Sequence, residues 1–450
     1  MDREDASAGR IGRARHALMS RPDPYAAIRI PSYRWFVLGR AFYILALQMQ
    51  TVAVSWQIYQ RLSDQPHKAA LALGYIGLVQ VAPILLFSIP AGNIVDRFDR
   101  RLVLMATQFV IGLCSALLLL ISVRHYSVTT IYAVLFLVGA ARAFIGPVSV
   151  AYYTMLVPRE VLPNAAMWNS TIFELTSITG PALGGLIVAW AGPETCYEVN
   201  LACVAASFAL FVLAVPGVAA APDRKAMTWT SLLDGVRFVI RAKLLLAMIS
   251  LDLFAVLLGG ATALLPIYAQ QILHGGPMAF GILRAAPSVG AITMALITMR
   301  LRPWKQAGRT ILWAVLGFGL ATILFGVSHW LWLSIVALAL TGMCDNISVV
   351  IRQTLSQMIT PNAMRGRVSS VSFIFISCSN ELGAFESGIT AAFLGPVGSV
   401  VLGGVGTIAV VAGAVRLFPE LQQVGRLTDL KPLDIQEDTE EELRERTPAP

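Results

Sequence analysis

The sequence predicts an all-α membrane protein with twelve transmembrane helices in two pseudo-symmetric six-helix bundles. Three observations carry this expectation. Charged residues make up 13% of the 450 and apolar residues 56%, whereas a soluble domain carries about a quarter charged residues. The apolar residues come in blocks of about 20 or more, the length that crosses a bilayer at about 1.5 Å per residue. Lipid offers the backbone no hydrogen bonds, so blocks of that length must be helices. The short alternating segments of a β-barrel are not seen.

The blocks place spans at 34–60, 71–92, 102–123, 128–152, 163–190, 197–216, 244–270, 278–300, 309–327, 330–354, 367–393 and 396–417. They divide the chain into an N-terminal tail (1–33), a first bundle (34–216), a linker (217–243), a second bundle (244–417) and a tail (418–450). The linker run Thr230-Ser231-Leu232-Leu233-Asp234-Gly235-Val236-Arg237-Phe238 reads as an amphipathic helix on the membrane surface. The tail turns acidic from Asp434 to Glu445 and is expected to be disordered. The Arg-rich N-terminal stretch leads into no short apolar core with a cleavage site, so no cleavable signal peptide is expected.

Charge placement orients the spans. With the N-terminus in the cytoplasm, 28 of the 34 Lys and Arg fall on cytoplasmic segments, and only Arg61, Lys68 and Arg124 on outer loops. That is the positive-inside bias. It predicts an inner-membrane protein with both termini cytoplasmic. The basic residues then meet anionic lipid heads, and no nucleic acid is needed to explain the net charge of +8. Trp35, Trp190, Trp304, Trp330 and Trp332 stand near span ends, as interfacial anchors do. The five cysteines are odd in number and form no CxxC or Cys/His cluster, so they read as packing residues. No metal site, cofactor or catalytic residue is expected, and the chain is read as a monomer.

The halves resemble each other. Pro158 and Pro361 follow spans four and ten, 203 residues apart. At the same offset Gly139 meets Gly342, Gly180 meets Gly383, and Gly185 meets Gly388. Ile58-Tyr59 recurs as Ile267-Tyr268 at offset 209. Two six-helix repeats would place a substrate site near midplane between the halves.

Between spans two and three stands Gly92-Asn93-Ile94-Val95-Asp96-Arg97-Phe98-Asp99-Arg100-Arg101. Gly92 permits close helix approach. Asp96 can face the positive end of a neighbouring helix. Arg97, Arg100 and Arg101 hold the loop inside and can pair with carboxylates or lipid phosphates. The run resembles the signature loop of the major facilitator superfamily, G-x-x-x-D-R-x-x-R-R, at every defining position. The resemblance implies the major facilitator fold, with this cluster as a latch on the cytoplasmic gate.

Two further runs resemble the drug:proton antiporter branch of that superfamily. Arg142-Ala143-Phe144-Ile145-Gly146 resembles its R-x-x-x-G, with Ile145 where the family often has Gln. Gly180-Pro181-Ala182-Leu183-Gly184-Gly185 resembles its G-P-x-x-G-G, with Thr176 in place of an upstream glycine. Leu265-Pro266-Ile267-Tyr268-Ala269, Gly281-Ile282-Leu283-Arg284-Ala285-Ala286-Pro287 and Arg365-Gly366-Arg367-Val368 are similar to the group holding the enterobactin exporter and the macrolide efflux proteins.

Charges inside spans are costly and mark functional sites. The candidates for proton coupling or substrate contact are Arg40, Arg142, Glu174, Asp252, Arg284, Asp345 and Glu381. All five histidines lie in loops or tails, so any carried proton falls to a carboxylate. Arg142 and Asp345 are 203 apart, and Arg40 aligns with Ile249, one turn from Asp252. The superfamily fold lines its cavity with spans one, four, seven and ten. Two cations of the first half would then face two carboxylates of the second. An ion pair holds a carboxylate ionised, and separation of the halves favours protonation. Static structural pairing is the alternative. Glu174 and Arg284 are expected to meet on the other side of the interface.

These readings point to proton-coupled export of a small amphipathic molecule, such as a siderophore, macrolide or other drug, by alternating access. The alternatives are a lysophospholipid or nutrient transporter, or a non-transporting sensor or membrane-embedded enzyme. The sequence has no GxxxxGK[ST], HExxH or GxSxG, which argues against an enzyme.

Overall fold

The computed structural model describes residues 23–215, 229–300, 304–361 and 364–425. The helices are α1 (Pro31–Arg61), α2 (Pro66–Arg97), α3 (Arg100–Val123), α4 (Val128–Leu156), α5 (Leu162–Leu213), α6 (Trp229–Arg241), α7 (Lys243–Leu258), α8 (Gly276–Arg300), α9 (Ala307–Val327), α10 (Leu331–Ile359), α11 (Arg365–Leu417) and α12 (Pro419–Gln423). Beyond Leu258 the seventh span leaves the α ladder at Gly259 and Gly260. It then continues through tighter and wider turns, ending in a π-helix at Tyr268–Ile272.

Ten helical stretches among the described residues are long and apolar enough to cross a bilayer. Two of them are double. α5 has 52 residues and α11 has 53, about 80 Å each at 1.5 Å per residue, against a hydrocarbon core of about 30 Å. Each is broken once, at Gly192 (φ 82°, ψ 170°) and at Gly395 (φ 75°, ψ 166°). That backbone region is open essentially to glycine alone. The following Pro193 and Pro396 have the fixed φ that starts the returning helix. Two double helices among ten give twelve spans.

The two breaks lie 203 residues apart, the offset seen in the sequence. The repeated glycines also pack alike. Gly139 closes on Pro83, and Gly342 on Pro287. Gly180 closes on Gln48, and Gly383 on Leu257, which stand 209 apart.

Several sequence boundaries shift. α2 runs on to Arg97, so Gly92 to Arg97 are helical and not loop. The C-terminal segment is ordered through 425. Leu421 and Val424 are buried, and the carbonyls of Val424 and Gly425 accept from the amides of Gly308 and Ala307, which open α9. Those amides lack helical partners, so the segment caps α9. The acidic run 434–445 lies outside the described residues. The linker run forms helix α6, with Phe238 and Val239 buried. Asp234 on it accepts from Arg367 of α11 at 3.3 Å.

The core shows how the halves meet. One apolar cluster joins both, with Trp56, Tyr59 and Leu73 of the first half packed among Tyr268, Phe280 and Ala391 of the second. Trp56 stacks on Phe280 at 6.2 Å. Toward the opposite end the core splits into two, one made of first-half residues and one of second-half residues. The halves are therefore sealed at the end away from the basic loops and parted toward them. With those loops in the cytoplasm, this is an inward-open arrangement.

Candidate functional site

The seal rests on glycine. A Cβ on Gly185 of α5 would stand 2.7 Å from Cα of Gly281 on α8, and one on Gly388 of α11 would stand 2.5 Å from Cα of Gly74 on α2. Gly185 and Gly388 are repeat equivalents, so the two half–half contacts mirror each other. The G-P-x-x-G-G run serves both. Gly180 and Gly184 seat α5 on Gln48 and Met49 of α1, while the Pro181 carbonyl and Gly185 meet Gly281. Without side chains the helix backbones approach closely, which is how helices associate in lipid.

Inside this seal stand the charges. Arg142 of α4 pairs with Glu381 of α11 at 3.5 Å, across the boundary between the halves. It also donates to the Gln80 side chain of α2. Arg284 of α8 lies within electrostatic range of Glu381 and Arg142. Glu381 thus pairs with the guanidinium of one half and lies within electrostatic range of another from its own half.

The second half holds its own cavity of about 230 Å³. Asp252 of α7, Asp345 and Arg352 of α10 and Asn380 of α11 line it, beside the break at Gly259 and Gly260. Asp252 is ion-paired with Arg352, and both are at least nine-tenths buried. Asp345 has no ion pair among the described residues. Glu174 of α5, across the boundary, is a like charge within electrostatic range of it.

These pairings differ from the expected ones. Arg142 and Asp345 were expected to face one cleft from opposite halves without needing to touch; Arg142 pairs with Glu381, and Asp345 lines the second-half cavity. Arg40 was expected opposite Asp252, but Asp252 is taken by Arg352, and Arg40 is surrounded by Tyr33, Tyr43 and Tyr153. Glu174 and Arg284 form no ion pair with each other among the described residues. The physical reason is rotational. Repeat arithmetic places residues at equal depth, but each successive residue turns about 100° around its helix. Depth therefore does not say which neighbour a side chain meets. Arg352 was not a candidate because it stands near the basic end of its span, where a cation needs no explanation. Its spacing of seven from Asp345, two turns along one face, was the available signal.

The run from Gly92 to Arg101 is partly visible. Asp99 caps α3, accepting from the amides of Arg101 and Leu102 at 2.7 and 3.3 Å. The Arg101 guanidinium donates to the Val212 carbonyl at 2.7 Å, on the last turn of α5, where the helix dipole is negative. Arg97 is exposed and Arg100 half-buried, and neither forms an ion pair among the described residues. The side chain of Asp96 lies outside the described residues.

The family described as "Transmembrane secretion effector" matches residues 22–446. The chain is 27% identical over 403 residues to the enterobactin exporter EntS of Escherichia coli O1:K1, covering 87% of this chain and 93% of that protein. It is 27% identical over 405 residues to the EntS of Citrobacter koseri, with the same coverage. Among solved structures, a POT family transporter in complex with 5-aminolevulinic acid superposes with a TM-score of 0.68 at 13% identity, over 86% of this chain and 96% of that one. A D-xylose–proton symporter superposes at 0.67 and 11% identity, over 87% and 98%. At such identities these two likenesses speak for the fold alone.

Proposed function

We propose proton-coupled export of a small amphipathic molecule, from the premise that this chain belongs to the transmembrane secretion effector family and has the major facilitator fold. A multi-pass transporter of this family moves a small molecule between the two sides of a membrane. What we add is direction, driving ion and cargo.

The observation that carries the coupling is the Arg142–Glu381 pair. It is the one ion pair among the described residues that joins the two halves. It sits inside the outer seal and above the parted cytoplasmic cleft. Opening the outer side must separate α2 from α11 and α5 from α8, and that draws Arg142 of the first half away from Glu381 of the second. A carboxylate that loses a counter-charge in a cleft of low dielectric favours the protonated state. Proton binding at Glu381, or at the unpaired Asp345, is then linked to the rocking of the halves. Static structural pairing remains the competing role.

Export of a siderophore is favoured by likeness to the enterobactin exporters. A macrolide or other drug is the next candidate. The charge bias supports a bacterial inner-membrane location with both termini cytoplasmic. The test is a deletion strain profiled by mass spectrometry of cells and medium. Loss of the exporter should leave one amphipathic metabolite raised in cells and depleted from medium. Reversed accumulation would replace export by uptake.

A further inference from the structure

The first half contains two buried polar groups that no protein atom satisfies, one helical turn apart. Arg40 Nε and Tyr43 Oη on α1 are both buried without a hydrogen-bond partner. Tyr43 is 6% exposed. Its hydroxyl lies within electrostatic range of both Arg40 and Arg142. The other ring near Arg40 with a known role, Tyr33, is already engaged. Its hydroxyl donates to the Ala165 carbonyl at 2.7 Å and accepts from Asn169 at 3.2 Å. Among the described residues, no carboxylate is paired with Arg40.

The repeat shows what is missing. Tyr43 stands 209 residues before Asp252, and Arg142 stands 203 before Asp345. In the second half, the carboxylate at the first of these positions neutralises Arg352. In the first half, the same position holds a phenol, and the neighbouring guanidinium has no acid. Inside a membrane an unpaired cation is costly, and a buried donor without an acceptor adds to the cost. Both orphans donate. A guanidinium N–H and a phenol O–H, one turn apart on the same helix and both without an acceptor, are the donor set of an oxyanion or halide site.

We propose that Arg40 and Tyr43 form an anion subsite in the first half, with Arg142 as the neighbouring positive charge. It takes either the acidic group of a substrate entering from the cytoplasmic cleft or a free inorganic anion. In the first case the proposal rests on the transport reading and narrows the cargo to an acidic amphipath. The partly buried Arg40 is the point of entry, and the rings of Tyr33, Tyr43 and Tyr153 supply the apolar collar.

The test needs no transport, so its failure leaves the transport reading standing. The full chain is purified in chloride-free buffer and titrated with 1-naphthoate, 1-naphthylmethylammonium or naphthalene-1-methanol, three probes of similar shape and different charge. Binding is read by thermal stabilisation and intrinsic fluorescence. Naphthoate should bind at least about tenfold tighter than the ammonium or the alcohol, the size of one charge-assisted hydrogen bond. Arg40→Gln and Tyr43→Phe should each remove about that factor. Tyr43→Phe deletes a single oxygen, so it tests the site even where Arg40→Gln fails to fold. Chloride is titrated separately. Chloride that binds with the same dependence on Tyr43 and Arg40, and displaces naphthoate, assigns the site to a free anion. Naphthoate binding without chloride competition assigns it to an acidic substrate. The proposal is overturned by equal binding of naphthoate and the ammonium, by binding unchanged in both variants, or by no anion binding at all.

Discussion

Arg142 and Glu381 meet at 3.5 Å from opposite halves of the molecule, whose shared apolar core lies toward the end away from the basic loops. The pair therefore bridges the boundary between the halves. Its side chains are 31% and 18% exposed, so water screens them in part. Removing one partner should cost about 2 kcal/mol, at the lower edge of buried pairs. The loss falls on the state in which the pair is made.

Arg142→Gln and Glu381→Gln should thus shift the balance away from the inward-open state by roughly thirtyfold. Spin-label distances between the cytoplasmic ends of α4 and α10 would read the shift as a shorter population. The double variant Arg142→Gln/Glu381→Gln should lie closer to the parent than either single one. If the singles leave the distance distribution unchanged, the pair has no part in setting the state.

The glycine seal makes a steric prediction. A side chain on Gly185 or Gly388 cannot fit against Gly281 or Gly74 without moving backbone. Gly185→Val and Gly388→Val should each loosen the outer closure. Phe280, fully buried in the seal, offers a reporter. Phe280→Cys should be slow to react with a membrane-impermeant maleimide in the parent background and several-fold faster with either valine. Because the two contacts are repeat equivalents, their effects should be similar in size. A large effect at one site and none at the other would mean that the seal is not symmetric.

Much of this architecture is legible in the sequence. The spans follow from block length, and the repeat shows in Gly139/Gly342, Gly180/Gly383 and Gly185/Gly388, whose packing proves equivalent. Gly192-Pro193 and Gly395-Pro396 share the same offset and carry the strongest backbone signature of all, because no other residue takes that φ/ψ cheaply. They were legible but unread. The ion pairs were not legible. Charge content and depth can be read from residues, but the partner depends on helix rotation and on which helices are neighbours in space. Arg352, Gln80 and Tyr43 enter the site for that reason alone. The helix that joins the halves shows the opposite case. Its amphipathic pattern and its Asp234 were readable, and Arg367, which holds it, lies in the Arg365-Gly366-Arg367-Val368 run already noted.

The Asp252–Arg352 pair predicts a stability effect with a defined sign. Both side chains are about nine-tenths buried. Arg352→Gln leaves Asp252 as an uncompensated charge, and such deletions cost about 3–5 kcal/mol. The double variant Asp252→Asn/Arg352→Gln removes both charges and should recover most of that loss. Thermal unfolding of the purified protein measures it. A double variant as unstable as Arg352→Gln alone would mean that packing of the arginine stem, and not its charge, is what matters.

Asp345 should behave in the opposite way, and the contrast separates a structural carboxylate from a working one. It lines the same cavity as Asp252 but makes no ion pair among the described residues. Its charge has no partner to lose, and Glu174 across the boundary is a like charge. Asp345→Asn keeps the shape and removes the charge, so stability should change by less than about 1 kcal/mol or rise slightly. Transport should respond differently. If Asp345 carries the proton, Asp345→Asn abolishes accumulation driven by an imposed pH gradient while leaving downhill exchange within about threefold, a barrier change under 1 kcal/mol. Vesicles loaded with the metabolite identified from the deletion strain would show both rates in one preparation. Asp252→Asn, by contrast, should lower the yield of folded protein before it lowers the coupling ratio. An Asp345→Asn protein that still accumulates its cargo against a gradient would pass the role to Glu381, whose pair with Arg142 ties its charge to the contact between the halves.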